Sequence, residues 1–406
     1  MAGLDIFQRQ YGRAADILVQ QIELSGPMPL TAEMHSRLYA ALANGCHLPQ
    51  MWASTQRLLR ALTPKLELSS QRTDWLPYLH AIAAQCQTLH DVALEAACAL
   101  HIGHLYYLGG EYKPAQSWLE QARAHFERLA DRHGQARALN MLAWVALRTG
   151  NSATAAELAN GALDRLDAHD TERAHSFYTL GEVAILQQEW TEAEAYMRQS
   201  LRFWEDAGDK RGVARGLRNL GPVLVNLQDP DAAIACYERA MALFTEINDA
   251  SNLAITQMNL GIAYRKRNEH QAALQLYTQA AGAFRQMQDH LNLAKVYTNM
   301  GILLRMLGQY HAAAQIQNEA IALWRKLDNR RSLCNVLDGL GQTLMLQGQW
   351  DAAADVFQEA VALLAADQND ATCAGLYDLL RAHLQQATTG IQQQQEPGIT
   401  QLSAKA

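Results

Sequence analysis

The sequence predicts an all-α fold, a right-handed α-solenoid of stacked helix-turn-helix units. Three observations carry it. A glycine returns every 40 residues, at Gly181, Gly221, Gly261, Gly301 and Gly341, and self-similarity at such a period is the mark of a repeat array. Small residues return in the same register: Ala193, Ala233, Ala273, Ala313 and Ala353, then Ser200, Ala240, Ala280, Ala320 and Ala360. No stretch of the array alternates apolar and polar residues as a strand would.

The register extends further back. Gly103 and Ala143 hold the place of the glycine, one interval being shortened by two residues, and Ala115, Ala155, Ala122 and Ala162 hold the small positions. A large apolar residue closes each copy: Phe126, Leu166, Trp204, Phe244, Phe284, Trp324, Leu364. Seven copies therefore align. Within one copy, Ala254, Leu260, Gly261 and Tyr264 recur at helical spacing. A turn follows, marked by Asn268, by Asp229-Pro230, or by Gly308 and Gly348. The second helix runs from about Gln271 to Met287. Asp131, Asp209, Asp249, Asp289 and Asn329 then precede the next first helix, where a side-chain oxygen can cap free amides. Glycine inside a helix costs about 1 kcal/mol against alanine. Gly261 is expected to serve a close helix crossing, with the partner helix near Ala273. Such units cannot bury their apolar faces alone, so copies must stack.

The ends depart from the register. Residues 1–90 read as divergent helical pairs. In the first, Tyr11 and Ala14 match Tyr112 and Ala115; a second pair splits near Gly45 and Pro49, and a third begins near Gln71, after Pro64. Such a start suits a capping end, or a chain cut from something longer. Residues 91–370 hold the seven repeats. Residues 371–387, with Asp378 and Arg381, read as a C-terminal capping helix, and the glutamine-rich stretch 388–406, interrupted by Pro397, as a disordered polar tail.

Composition narrows the function. Of 406 residues 49% are hydrophobic and 18% charged, with a net charge of −7, which argues against a general nucleic-acid binder. Six cysteines stand without close pairs in the sequence, as buried apolar residues of a reducing compartment. The N-terminus lacks the apolar core of a signal peptide, and no run approaches 18 apolar residues, so no membrane partner is expected. A cytoplasmic location follows as the expectation.

The stretches "NLGPVLVNLQDPDAAIACYERAMALF" and "NMGILLRMLGQYHAAAQIQNEAIALW" resemble tetratricopeptide repeats of the longer, 40-residue kind. The resemblance covers roughly Asp91 to Asn369. The proline that the family carries after its second helix is replaced by an Asp-containing link. Ala143 for glycine and Gln317 for the usual aromatic read as local weakenings. The resemblance implies that first-helix positions left free by packing line a concave groove. It also implies that groove asparagines grip the main chain of an extended peptide.

Two positions before the glycine stand Asn219, Asn259 and Asn299. Asparagine is a poor mid-helix residue, but its amide both donates and accepts, as a peptide backbone requires. Around them Arg137, Arg148, Arg215, Arg218, Arg265, Lys266, Lys295 and Arg305 occupy neighbouring first-helix positions. Only Glu182 and Asp338 are acidic there, which favours an anionic ligand over a merely solvated face. Cys98, His101 and His104 lie three apart on one helix, but successive steps of three splay the outer two. Core cysteine with surface or groove histidines is the better account. No phosphate loop, zinc spacing or nucleophile elbow occurs. The expectation is a non-enzymatic scaffold with no catalytic residue, metal or cofactor, binding an acidic, extended segment of another protein. The alternative is the ligand- or protein-sensing repeat region of a bacterial ATPase-type regulator. RNA binding through the basic positions is the third class, with few stacking platforms (Tyr178, Trp144).

Overall fold

The computed structural model describes residues 2–25, 30–45, 51–66, 72–365 and 371–395, and every regular element among them is a helix. The chain divides into two compact units, residues 1–216 and 217–406. In the first, α1 (Ala2–Leu24), α2 (Ala32–Gly45), α3 (Trp52–Leu66) and α4 (Leu76–Leu89) precede the repeats. Three pairs follow: α5 (Val92–Leu108) with α6 (Tyr112–Arg128), α7 (Arg132–Arg148) with α8 (Ser152–Leu163), and α9 (Arg173–Leu186) with α10 (Trp190–Asp206). The division falls inside α11 (Lys210–Asn226). The second unit continues with α12 (Pro230–Glu246), α13 (Ala250–Lys266), α14 (His270–Gln286), α15 (His290–Met306) and α16 (Tyr310–Lys326). It closes with α17 (Arg330–Leu346), α18 (Trp350–Leu364) and α19 (Ala371–Gln395). The architecture is an α-solenoid of helix-turn-helix repeats.

The local rules are simple. The turn inside each repeat uses one residue in the left-handed region, such as glycine at Gly308 (φ 73°) and Gly348 (φ 74°) or asparagine at Asn268 (φ 64°). The capping residues then do what their side chains allow. Asp131, Asp209, Asp249, Asp289 and Asn329 each accept from the amide three residues on, at 2.9–3.1 Å. Asp91 does the same for α5, accepting from Leu94 at 3.1 Å.

The glycine register is a packing register. A Cβ on Gly261 would stand 2.5 Å from Cε1 of Tyr277, one on Gly301 2.6 Å from Cγ of Gln317, and one on Gly103 2.6 Å from Cγ of Leu119. Tyr237 and Phe357 fill the same place over Gly221 and Gly341. The obstacle is therefore the side chain sixteen positions on, not the backbone near Ala273. At Ala143 the residue sixteen positions on is Ala159, and both are fully buried. Gln317, in the aromatic's place, is buried with its Oε1 accepting from Thr343 at 2.9 Å.

Three segments differ from expectation. Near the N-terminus Tyr11 is buried, its hydroxyl bonded to Ala41 O at 3.0 Å, but Ala14 is exposed and Ala15 buried in its place. The helix there faces inward one residue later than the match to Ala115 implies. The shortened interval shows as a short α8, whose end is held by Arg173 Nη1 donating to Leu163 O and Leu166 O, both at 3.2 Å. α19 continues past Ala387 to Gln395, because Gly390 lies flat against the Trp350 ring and extends the contact with α18. The break near Pro49, the start near Gln71, Cys46 and the tail beyond Gln395 lie outside the described residues. In the second unit one apolar cluster runs without interruption from Ala254 to Ala387.

Candidate functional site

In the second unit the first helices α13, α15 and α17 are neighbours in order. Asn259 on α13 and Asn299 on α15 occupy the same position, 40 residues apart, and both are half-buried. Neither amide makes a hydrogen bond to another described group. At about 100° per residue, Ile262 falls between Asn259 and Arg265, and Ile302 between Asn299 and Arg305. Each helix thus presents an amide, an isoleucine and a guanidinium across one face.

Arg265 and Arg305 are half-buried, and the Nε of each is enclosed without a partner. Arg265 lies beside the Tyr277 hydroxyl and partly offsets the burial that pushes that phenol up to about 12. Lys266 ends α13 and is exposed. Among the described residues Arg265, Lys266 and Arg305 face no carboxylate within 4 Å. Lys295 is exposed and reaches Asn292 Oδ1 at 3.5 Å.

Asn219 and Arg218 behave differently. Arg218 donates through Nε to Asn219 Oδ1 at 3.1 Å and through Nη1 to Asn252 Oδ1 at the start of α13. Asn252 in turn donates to Asp249 Oδ2 at 2.8 Å. This chain staples α11 to α13, so Arg218 has a structural task. Asn140 does the same in the first unit, donating to Glu172 Oε1 at 2.9 Å and accepting from Ser176 at 2.8 Å.

The remaining sequence-derived cations lie in the first unit. Arg148 donates to the Tyr107 hydroxyl at 3.4 Å, and that bond, with Glu182 and Tyr178 nearby, holds its guanidinium more firmly charged. Arg215 sits over the Tyr178 ring, 5.6 Å from its centre. Arg137 is half-buried and makes no hydrogen bond or ion pair. Groove positions of this unit are filled by rings packed on one another. Trp144 lies 6.0 Å from His104, 6.0 Å from Tyr107 and 5.3 Å from His175. Cys98, His101 and His104 are all buried, so the two histidines are not surface residues. Cys98 and Cys86 on α4 are both free, and a hydrogen bond between their thiols, together with burial, raises the Cys98 pKa. Among the described residues no cluster of His, Cys, Asp and Glu could hold a metal ion, and no helix is long and apolar enough to cross a membrane.

The register also places two residues that the search for charge and amides passed over. Met306 and Leu346 stand where Lys266 does, at the ends of α15 and α17, and are 50% and 53% exposed. The repeat alignment was the signal that could have found them. A shallow cleft of about 360 Å³ lined by Glu238, Met241, Tyr264 and Gln275 contains none of these residues.

A stack of helix pairs that offers the side chains of successive first helices to a ligand defines a class of binding repeat proteins. Residues 95–168, 170–246, 213–286 and 289–366 match the family model described as Tetratricopeptide repeat, well over half of the chain. The chain belongs to the tetratricopeptide repeat family. No curated protein matches its sequence. Among solved structures, it is similar to a Signal Transduction ATPase with Numerous Domains protein with a tetratricopeptide repeat sensor from Pyrococcus horikoshii. That likeness has a TM-score of 0.63 at 13% identity, over 90% of this chain and 55% of that one. It is similar to the apo form of the quorum sensor NprR from B. thuringiensis, with a TM-score of 0.57 at 13% identity, over 73% and 80%. It is also similar to aspartyl phosphate phosphatase F from Bacillus subtilis, with a TM-score of 0.53 at 12% identity, over 87% and 93%. At these identities the likeness is one of fold.

Proposed function

We propose that this chain is a non-enzymatic, cytoplasmic protein-interaction scaffold whose second unit holds an extended, acidic segment of a partner protein. The observation that carries the reading is the pair Asn259 and Asn299. Each is a half-buried amide at the same place on neighbouring first helices, with no partner of its own. Amides not engaged within the protein are available to a ligand, and a peptide main chain offers both a donor and an acceptor to them. Neighbouring helices stand about 10 Å apart and an extended chain advances about 3.3 Å per residue. The two amides therefore match peptide units about three residues apart. Arg265, Lys266, Lys295 and Arg305 supply the preference for acid. In the first unit the packing of Trp144 and Tyr178 against their neighbours favours a protein ligand over RNA, since few ring faces stay open for bases.

A random peptide library displayed on phage tests the reading. The wild type is expected to enrich acidic peptides, and Asn259→Ala/Asn299→Ala to lose that enrichment while melting at the wild-type temperature. Equal enrichment by both proteins removes the amides from the site.

The sensor reading keeps one specific support: 90% of this chain aligns with 55% of a protein whose description includes a tetratricopeptide repeat sensor. A nucleotide-binding domain encoded in the same reading frame would favour it, and the same groove would then serve the sensor.

A further inference from the structure

We infer that the second unit reads two chemistries in order along one segment, acidic side chains over α13 and an apolar side chain over α15 and α17. This deepens the proposed function and rests on it. Lys266, Met306 and Leu346 are register equivalents at the ends of three successive first helices, and all three are exposed. The first is a cation; the next two are large and apolar, 50% and 53% exposed. An isolated exposed apolar residue is ordinary. Two at the same place on neighbouring helices, each beside further apolar groups, make a surface. Ile302 lies one turn before Met306 on α15, and Met345 adjoins Leu346 on α17; both are half-buried, and Met345 packs against the core.

The charges choose the occupant. Among the described residues Arg265, Lys266 and Arg305 have no carboxylate of their own, whereas the acid of α17, Asp338, is already bonded to His383 Nδ1 and Gln342 Nε2, both at 2.6 Å. At the last two positions of these helices cations number two on α13 (Arg265, Lys266), one on α15 (Arg305) and none on α17 (Met345, Leu346), so an acidic end of the segment is drawn to α13. Methionine adapts to irregular partners because its side chain is unbranched and polarisable. At one repeat per three residues, roughly, the apolar anchor lies about three to six residues from the acidic group.

The test is the same phage-displayed random peptide library, selected on wild type, on Met306→Asp/Leu346→Asp and on Met306→Leu. The wild type should enrich peptides that join an acidic residue to a large apolar residue at that spacing. The double variant should keep the acid and lose the apolar position; Met306→Leu should keep both. Replacing the apolar residue of a selected synthetic peptide by alanine should weaken binding to wild type about tenfold, and to the double variant far less. Acid-only enrichment by the wild type overturns the apolar site and leaves the groove reading standing. An unchanged motif in the double variant, with its melt intact, overturns it too. No enrichment of any kind overturns both readings.

Discussion

Gly261 and Tyr277 are shaped to each other: a methyl group on the glycine would stand 2.5 Å from the tyrosine ring. The same pairing, sixteen residues apart, joins Gly103 to Leu119, Gly181 to Met197, Gly221 to Tyr237, Gly301 to Gln317 and Gly341 to Phe357. At Ala143 the first member gains a methyl group, and the second, Ala159, is the smallest of the series. The first member stays small in every copy, while the second varies from alanine to tyrosine.

Gly261→Leu should therefore overpack this crossing and destabilise the fold by roughly 1–3 kcal/mol. Leucine at exposed Gln275 should do little. A double-mutant cycle sharpens the point: Gly261→Ala should cost much less when Tyr277 is already alanine, since the ring that the new methyl group meets is gone. Additive losses in thermal or urea unfolding would mean that the two residues are not coupled.

The spacing of small residues was legible because one residue type, glycine or alanine, serves every copy. Its cause was less so, because the opposing residue is aromatic in only three copies (Tyr237, Tyr277, Phe357) and leucine, alanine, methionine or glutamine in the others. The candidate site divides in the same way. Asn219 is indistinguishable by spacing from Asn259 and Asn299. What separates it is Arg218 beside it and Asn252 across the next helix, and a contact across 34 residues leaves no periodic trace. Likewise the cap of α19 was legible to Ala387, but its last turns depend on Gly390 meeting Trp350 of another helix.

Alkaline pH should expose the buried tyrosines. Burial raises the Tyr277 phenol from its ordinary value near 10 to about 12, with Arg265 acting against it, and pushes Tyr237 up further. A phenol that holds its proton longer when folded contributes stability that is complete below pH 10. That contribution is lost as the pH rises from about 10 to about 12. The loss should run at about 1.4 kcal/mol per pH unit for each such tyrosine. Tyr277→Phe should be nearly neutral at pH 7, because the hydroxyl has no hydrogen-bond partner, and should flatten the decline above pH 10. Melting curves from pH 8 to 12 that fall equally for both proteins would place the alkaline transition elsewhere.

The cations of the second unit should separate into two kinds. Arg218 donates to two amide oxygens and ties α11 to α13. Arg218→Glu would set a carboxylate against those oxygens and leave the half-buried amides of Asn219 and Asn252 to find new partners. A loss of about 1–3 kcal/mol is expected, seen as a lower melting temperature whether or not a peptide is present. Lys266 is exposed and gives up no ion pair on reversal, so Lys266→Glu should melt near the wild type. Its defect should appear only with an acidic peptide selected on the wild type. That defect should be greatest at low salt, because about 0.1 M ionic strength already screens charges more than about 10 Å apart. Fluorescence polarisation at 20 and 300 mM salt reads it directly. Should Arg218→Glu melt like the wild type, the staple between α11 and α13 contributes nothing measurable. If Lys266→Glu binds as the wild type does at both salts, the acidic end of the segment does not lie over α13.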